Sequence, residues 1–219
     1  FLLLGDSYDV STAVLWMFQI MFAATACTIV TGAVAERFKF HAHVFYSVFL
    51  CSILYPVFGH WMWGKGWLEM LPFGVGARDF AGSGVVHGMG GLLAFVAAWV
   101  AGPRFGKYNP DGSPNVIHGH NLLYVVIGTL TLIFGWFGFN AGCTLAVTDL
   151  RVSIIAVNTL LSAASGAVTL LYLSYFMTKK SDVIMLCNGA LAGCVAITAS
   201  GAYVPHWAAI VIGIIASLI

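Results

Sequence analysis

Residues 78–102 read RDFAGSGVVHGMGGLLAFVAAWVAG. Arg78 and Asp79 open the stretch, and no charged side chain follows them up to Gly102. One imidazole, His87, stands inside this apolar run. A helix rising ~1.5 Å per residue over residues 80–102 crosses about 30 Å of hydrocarbon. In lipid the backbone must satisfy itself, and the run is too long and too evenly apolar for a barrel strand. The stretch therefore reads as a membrane-crossing helix. Opened at Asp79, it places His87 about 12 Å along its axis, near mid-membrane.

The rest of the chain repeats that pattern. Apolar runs occupy residues 10–35, 44–63, 121–147, 152–177 and 183–202. A further run starts near Trp207 and reaches Ile219, too short to span. The expected organisation is an all-α integral membrane protein. One transmembrane domain covers residues 1–219 and is truncated at both ends, with about six complete helices and the start of a seventh.

Composition excludes the common alternatives. Of the 219 residues, 60% are hydrophobic and only 8% are charged, against about 25% charged in a soluble domain. Mean hydropathy is +0.95. Such a chain cannot cover a water-facing surface. A net charge of +1 gives nucleic acid nothing to bind. The cysteines Cys27, Cys51, Cys143, Cys187 and Cys194 are scattered, with no metal or haem-attachment spacing. No metal site and no cofactor is expected.

Short polar loops alternate between two sides. The loops at 36–43, 103–119 and 178–182 carry Arg37, Lys39, Arg104, Lys107, Lys179 and Lys180, whereas the opposite loops carry Lys65, Arg78 and Arg151. The excess of base places the first set in the cytoplasm. The N-terminal piece, with Asp6 and Asp9 and no base, is then outside.

Several local patterns have a structural reading. Gly84/Gly88, Gly138/Gly142 and Gly189/Gly193 each put two glycines on one helix face, where backbones approach closely. Trp61, Trp63 and Trp67 gather at an outer helix end; an interfacial belt accounts for Trp61 and Trp67, and a tryptophan facing a vestibule can instead bind a small cation through its π face. Asn188 is a candidate cap or cross-helix bond. GHWMWGKG (59–66) nearly spells a phosphate loop, but it ends in Gly66, not Ser or Thr, and follows no strand. A haem enzyme would need paired axial histidines at depth. Only His87 is deep, with His60 near an outer end and His41, His43, His118 and His120 in inner loops. The chain is not expected to be an enzyme.

The imidazole is the functional signal. Ionisable groups inside a membrane are costly and line cavities or bundle interiors. In a dry site the neutral form of His87 is favoured, a donor and acceptor rather than a fixed cation. Asp79 can cap the helix or stabilise an arriving cation.

Four segments, GAVAERFKF (32–40), DFAGSGVVH (79–87), GWFGFNAG (135–142) and NGALAGCVAIT (188–198), resemble the ammonium transporter family in order and spacing. The likeness runs across essentially the whole chain. It implies an ammonium-transporter-type helical bundle, a fragment of an eleven-helix inverted-repeat fold, assembled as a homotrimer in the plasma membrane. By that resemblance Trp63 holds ammonium by cation–π contact. Phe22 and Phe139 form a gate, with Phe22 also lining the outer site. Trp136 lines the pore wall, and His87 is the first of two pore histidines that relay protons. Asp79 gives electrostatic support below the recruitment site. Cys143 stands where many members carry a serine, and a thiol is a weaker acceptor.

The function the resemblance implies is passage of ammonium, or methylammonium, across the bilayer. Ammonium is recruited at the aromatic vestibule and loses its proton, and ammonia passes His87. Two alternatives stand beside it: an ammonium sensor of the same fold with little flux, and a Rhesus-type gas channel, which Trp63 disfavours.

Overall fold

The structure, a computed structural model, describes residues 10–219. The acidic N-terminal piece with Asp6 and Asp9 lies outside the described residues. The helices are α1 (Val10–Val34), α2 (Phe40–Trp63), α3 (Ser83–Ala101), α4 (Leu122–Thr144), α5 (Arg151–Thr178), α6 (Val183–Ser200) and α7 (His206–Leu218). The first six are long and apolar enough to cross a membrane. The chain is thus a multi-pass membrane protein, and each run expected from hydropathy is a helix.

Two helix starts differ from expectation. Helix α2 begins at Phe40, four residues before the apolar run, because His43 has partners: its Nε2 lies 3.3 Å from Thr31 Oγ1 and 3.4 Å from Ser47 Oγ. Helix α3 begins at Ser83, not at Asp79. Asp79 Oδ1 accepts from the backbone N–H groups of Gly82 (2.8 Å) and Ser83 (2.9 Å). Phe80, Ala81 and Ser83 bond to α6. Phe80 N donates to Ala199 O at 3.0 Å, Ala81 N donates to Thr198 O at 3.1 Å, and Ser83 Oγ donates to Val195 O. His87 therefore sits about 6 Å from the start of its helix, half the expected distance.

Three wide π turns interrupt the spanning helices, at Leu50–Leu54, Ser83–Gly88 and Phe137–Ala141. The first has a local cause. Pro56 has no N–H to return to the carbonyl of Ser52, so the ladder loosens just before it. The other two contain His87 and Phe139.

The described residues group into two compact units. The first holds residues 10–77 and 84–116. Its helices α1 and α2 run antiparallel along a polar seam with four-residue steps. Tyr55 OH donates to Gln19 Oε1 (2.8 Å), Cys51 Sγ to Ala23 O (3.6 Å) and Cys27 Sγ to Ser47 Oγ (3.1 Å). Helix α3 packs on α1 through Gly90, where a Cβ would stand 3.0 Å from Ala26 O.

The second unit holds residues 78–83 and 117–219. Helix α5 is its centre, and both α6 and α7 lie against it at backbone distance. A Cβ on Gly193 would stand 2.1 Å from Ser162 O, and one on Gly213 would stand 2.2 Å from the same oxygen. Gly166 and Gly189 face each other, each 2.2 Å from the other's carbonyl oxygen by the same measure. Of the glycine pairs singled out in sequence, Gly189/Gly193 is a packing face. Gly138 and Gly142 are not, since a methyl there meets nothing within 4 Å. Asp182 caps α6 by accepting from Ile184 N (2.8 Å) and Met185 N (3.3 Å), and Asn188 is exposed. At the start of α5 the Arg151 guanidinium, 2.6 Å from Asp149, holds that carboxyl below its usual range.

Candidate functional site

The expected site residues fall in both units. In the first, α1 presents Phe22 and α2 ends at Trp63. Their rings meet edge to face, centroids 6.4 Å apart at 84°. Phe18, one turn before Phe22, adds a third ring at 4.7 Å. Phe22 is only 3% exposed, while Trp63 is half-buried. An aromatic pair of this geometry fixes the indole and leaves a π face that can hold a small cation. Trp61 and Trp67 form a separate, exposed edge pair at 5.8 Å, as befits an interfacial belt.

His87 lies in the π turn that opens α3. It is half-buried, and the two residues before it, Val85 and Val86, are fully buried. No charged residue lies within α3. A π turn re-aims side chains that a regular helix would stack, which is why such turns recur at functional positions.

In the second unit, Trp136, Phe139 and Cys143 follow one another through the end of α4. Trp136 is 8% exposed, and its Nε1 donates to Thr198 Oγ1 at 2.9 Å. Thr198 in turn donates to Cys194 O at 2.7 Å. The indole is thus fixed by its polar handle, as a buried tryptophan requires. The Phe139 ring lies 6.0 Å from that of Trp136. Cys143 Sγ donates to Phe139 O at 3.1 Å, so its hydrogen is already in use and the sulfur is left as an acceptor. Asn140, between them, is 1% exposed and donates to Thr159 Oγ1 at 3.0 Å. Asp79, 7% exposed, holds the turn before α3 as described.

The structure thus joins Phe22 with Trp63, and Trp136 with Phe139 and Cys143. Sequence reasoning missed Thr198, Thr159 and Phe18, which fix or extend these groups. A lone hydroxyl in an apolar run was the only signal for the two threonines, and it does not name a partner.

Comparisons with known proteins agree on one family. The sequence profile of the Ammonium Transporter Family matches residues 2–219. The chain is 56% identical over 223 aligned residues to the ammonium transporter Amt2 of Archaeoglobus fulgidus, covering 99% of this chain and 48% of the relative. It is 40% identical to ammonium transporter 1 member 2 of Arabidopsis thaliana, covering 92% of this chain and 43% of the relative. Among solved structures, one titled "Sensor Amt Protein" superposes with a TM-score of 0.87 at 44% identity, over 93% of this chain and 51% of the other. Mep2 of Candida albicans superposes with a TM-score of 0.80 at 36% identity, over 91% and 43%. The chain spans about half the length of these relatives.

Proposed function

The chain belongs to the ammonium transporter family, and from that premise we propose that it forms part of a protein that moves ammonium across the membrane as ammonia. Its curated relatives are named as transporters, not enzymes. Trp63 and Phe22 hold ammonium at the outer mouth, with Cys143 Sγ as a further acceptor. Asp79 stabilises the cation by its field. Phe22 and Phe139 are the apolar gate residues at which water is stripped away. Trp136 is a pore wall, and His87 passes ammonia onward by hydrogen bonding and relays the proton. The whole protein works as a homotrimer in the plasma membrane.

The physical case for deprotonation is selectivity. A bare cation in low dielectric is very costly, and potassium resembles ammonium in size and charge. Only ammonium can discard its charge by losing a proton. The observation that carries the reading is the edge-to-face pair of Phe22 and Trp63. It sets a half-buried indole beside a ring that is 3% exposed. A cation recruited at the first meets an apolar barrier at the second.

The test uses the full-length protein in yeast lacking its own ammonium permeases. Wild type restores growth on low ammonium and excludes potassium. His87→Ala is expected to lower uptake by about tenfold or more, the scale of a lost charge-assisted or catalytic hydrogen bond. Unchanged uptake with unchanged potassium exclusion removes His87 from the mechanism.

A second reading is an ammonium sensor of the same fold, favoured by the 44% identity to the structure titled as a sensor. Saturable ammonium binding without measurable flux in proteoliposomes selects it.

A further inference from the structure

Two thiols of the first unit have no part in the transport reading. Cys27 lies on α1 and Cys51 on α2. Each bonds to the opposite helix. Cys27 Sγ donates to Ser47 Oγ at 3.1 Å, and Cys51 Sγ donates to Ala23 O at 3.6 Å. Cys27 is therefore level with Ser47, and Cys51 with Ala23, so the two cysteines stand one helical turn apart along the seam. Side chains on a helix tilt toward its N-terminus. Because α1 and α2 run antiparallel, the two tilts are opposed and carry the thiols toward each other. The sulfurs come within hydrogen-bonding reach. Tyr46, one residue before Ser47, interacts with both of them.

The surroundings suit thiol chemistry. Ser47 Oγ, which accepts from Cys27, also lies 3.4 Å from His43 Nε2. This thiol–hydroxyl–imidazole row gives the Cys27 proton a base to go to, and the thiolate is the reactive form of cysteine. Cys27 is 8% exposed, so only a small uncharged reagent reaches it. Cys51 is half-buried and stands in the π turn Leu50–Leu54, where Pro56 has already removed a backbone bond. That segment has the compliance that closing a sulfur–sulfur bond requires. A disulfide also leaves no net charge in a low-dielectric interior. The seam leads to the candidate site. Phe22 stands five residues before Cys27 on α1, and Trp63 ends the helix that carries Cys51.

We infer that Cys27 and Cys51 form a redox pair that a small neutral peroxide closes into a disulfide, stapling α1 to α2 beside the Phe22–Trp63 pair. The Cys27 thiol passes its proton through Ser47 to His43, and the thiolate attacks hydrogen peroxide. The O–O bond breaks, a sulfenic acid forms on Cys27, and the leaving hydroxide takes the proton back from His43 as water. The Cys51 thiol then attacks the sulfenic sulfur. The S–S bond forms, and the sulfenic oxygen leaves with the Cys51 proton as a second water. The sulfurs have been oxidised and the peroxide reduced. A dithiol reverses the bridge by exchange. The bridge draws the π turn of α2 toward α1 and shifts Trp63 against Phe22. Its effect on uptake rests on the transport reading; its formation does not.

The experiment treats membranes holding the full-length protein with hydrogen peroxide and blocks free thiols with N-ethylmaleimide. Peptides are mapped by mass spectrometry, in parallel with methylammonium uptake. Wild type is expected to yield a peptide pair joined through Cys27 and Cys51. Its uptake should fall by about tenfold, the scale on which a displaced site residue acts, and recover with dithiothreitol. Cys27→Ser and Cys51→Ser each keep the donor to the opposite helix. Both should take up substrate like wild type and hold that rate after peroxide. Separately oxidised sulfurs at 27 and 51 with no joined peptides overturn the pair, and wild type alone decides this, whatever the variants do. Joined peptides with unchanged uptake overturn the hold on Phe22 and Trp63. In a protein without flux the peptide map still decides, so failure of the transport reading is told apart from failure of the pair.

Discussion

Cys143 and Asp79 show how one side chain can carry a local bond and a proposed role together. Cys143 donates to Phe139 O, and a serine hydroxyl in its place repeats that donation. Cys143→Ser should therefore leave the end of α4 unchanged and give ammonium a stronger acceptor. The expected outcome is a roughly threefold to tenfold lower KM for methylammonium uptake, the worth of one modest hydrogen bond. An unchanged KM would take position 143 out of the binding site. Asp79 Oδ1 holds two backbone N–H groups in a turn where the residue itself is buried. Asp79→Asn keeps that oxygen and discards the charge, whereas Asp79→Ala orphans both donors at about 1–3 kcal/mol each. Asp79→Asn is expected to fold and melt like wild type yet lose uptake by about tenfold or more, since the carboxylate field is gone. Asp79→Ala is expected to fail at folding, read as loss of detergent-solubilised protein. Normal uptake in Asp79→Asn would confine the aspartate to its turn.

Hydropathy made the middles of the elements legible and left their ends open. The runs at 10–35 and 183–202 became α1 and α6 almost to the residue. The run at 80–102 did not, because residues 80 and 81 give their N–H groups to α6 rather than to their own helix. Apolar content cannot show where an N–H goes. The glycine pairs carry the same lesson. A four-residue spacing names a face but not a neighbour, so only Gly189/Gly193 of the two measurable pairs meets a helix. The candidate aromatic and histidine residues were legible as types in a family-like order. The bond that fastens Trp136 to Thr198, and the one that fastens nearby Asn140 to Thr159, were not, since the partners stand 62 and 19 residues apart in sequence. The α5–α6 contact supplies an element-scale prediction. Gly193→Ala puts a methyl 2.1 Å from Ser162 O, a backbone atom that cannot rotate aside. The expected cost is about 1–3 kcal/mol, visible as a lower midpoint in thermal unfolding. Gly138→Ala, with open space around it, should leave stability within about 0.5 kcal/mol of wild type.

For the molecule as a whole, the distribution of base predicts an orientation. A thiol at Val116, an exposed position between α3 and α4, should react with a membrane-impermeant maleimide only after cells are permeabilised. A thiol at Val75, exposed between α2 and α3, should react in intact cells. The native cysteines all lie within spanning helices and supply little background. The reverse pattern would invert the orientation predicted for the helices.

The carbonyl oxygen of Ser162 has a mechanical consequence. Two neighbouring backbones touch it at Gly193 and Gly213, the only residue type that tolerates such an approach. Sliding α7 by one turn would bring Ala209 or Ser217 onto that oxygen, and sliding α6 would bring Ile197 there in one direction or, in the other, set Met185 against Gly166. Close-packed contacts of this kind do not deform gradually. The α5–α6–α7 stack is therefore locked against shear and behaves as a stator. Any opening and closing that accompanies conduction is left to ring flips and hinge bending, not to gliding within this stack.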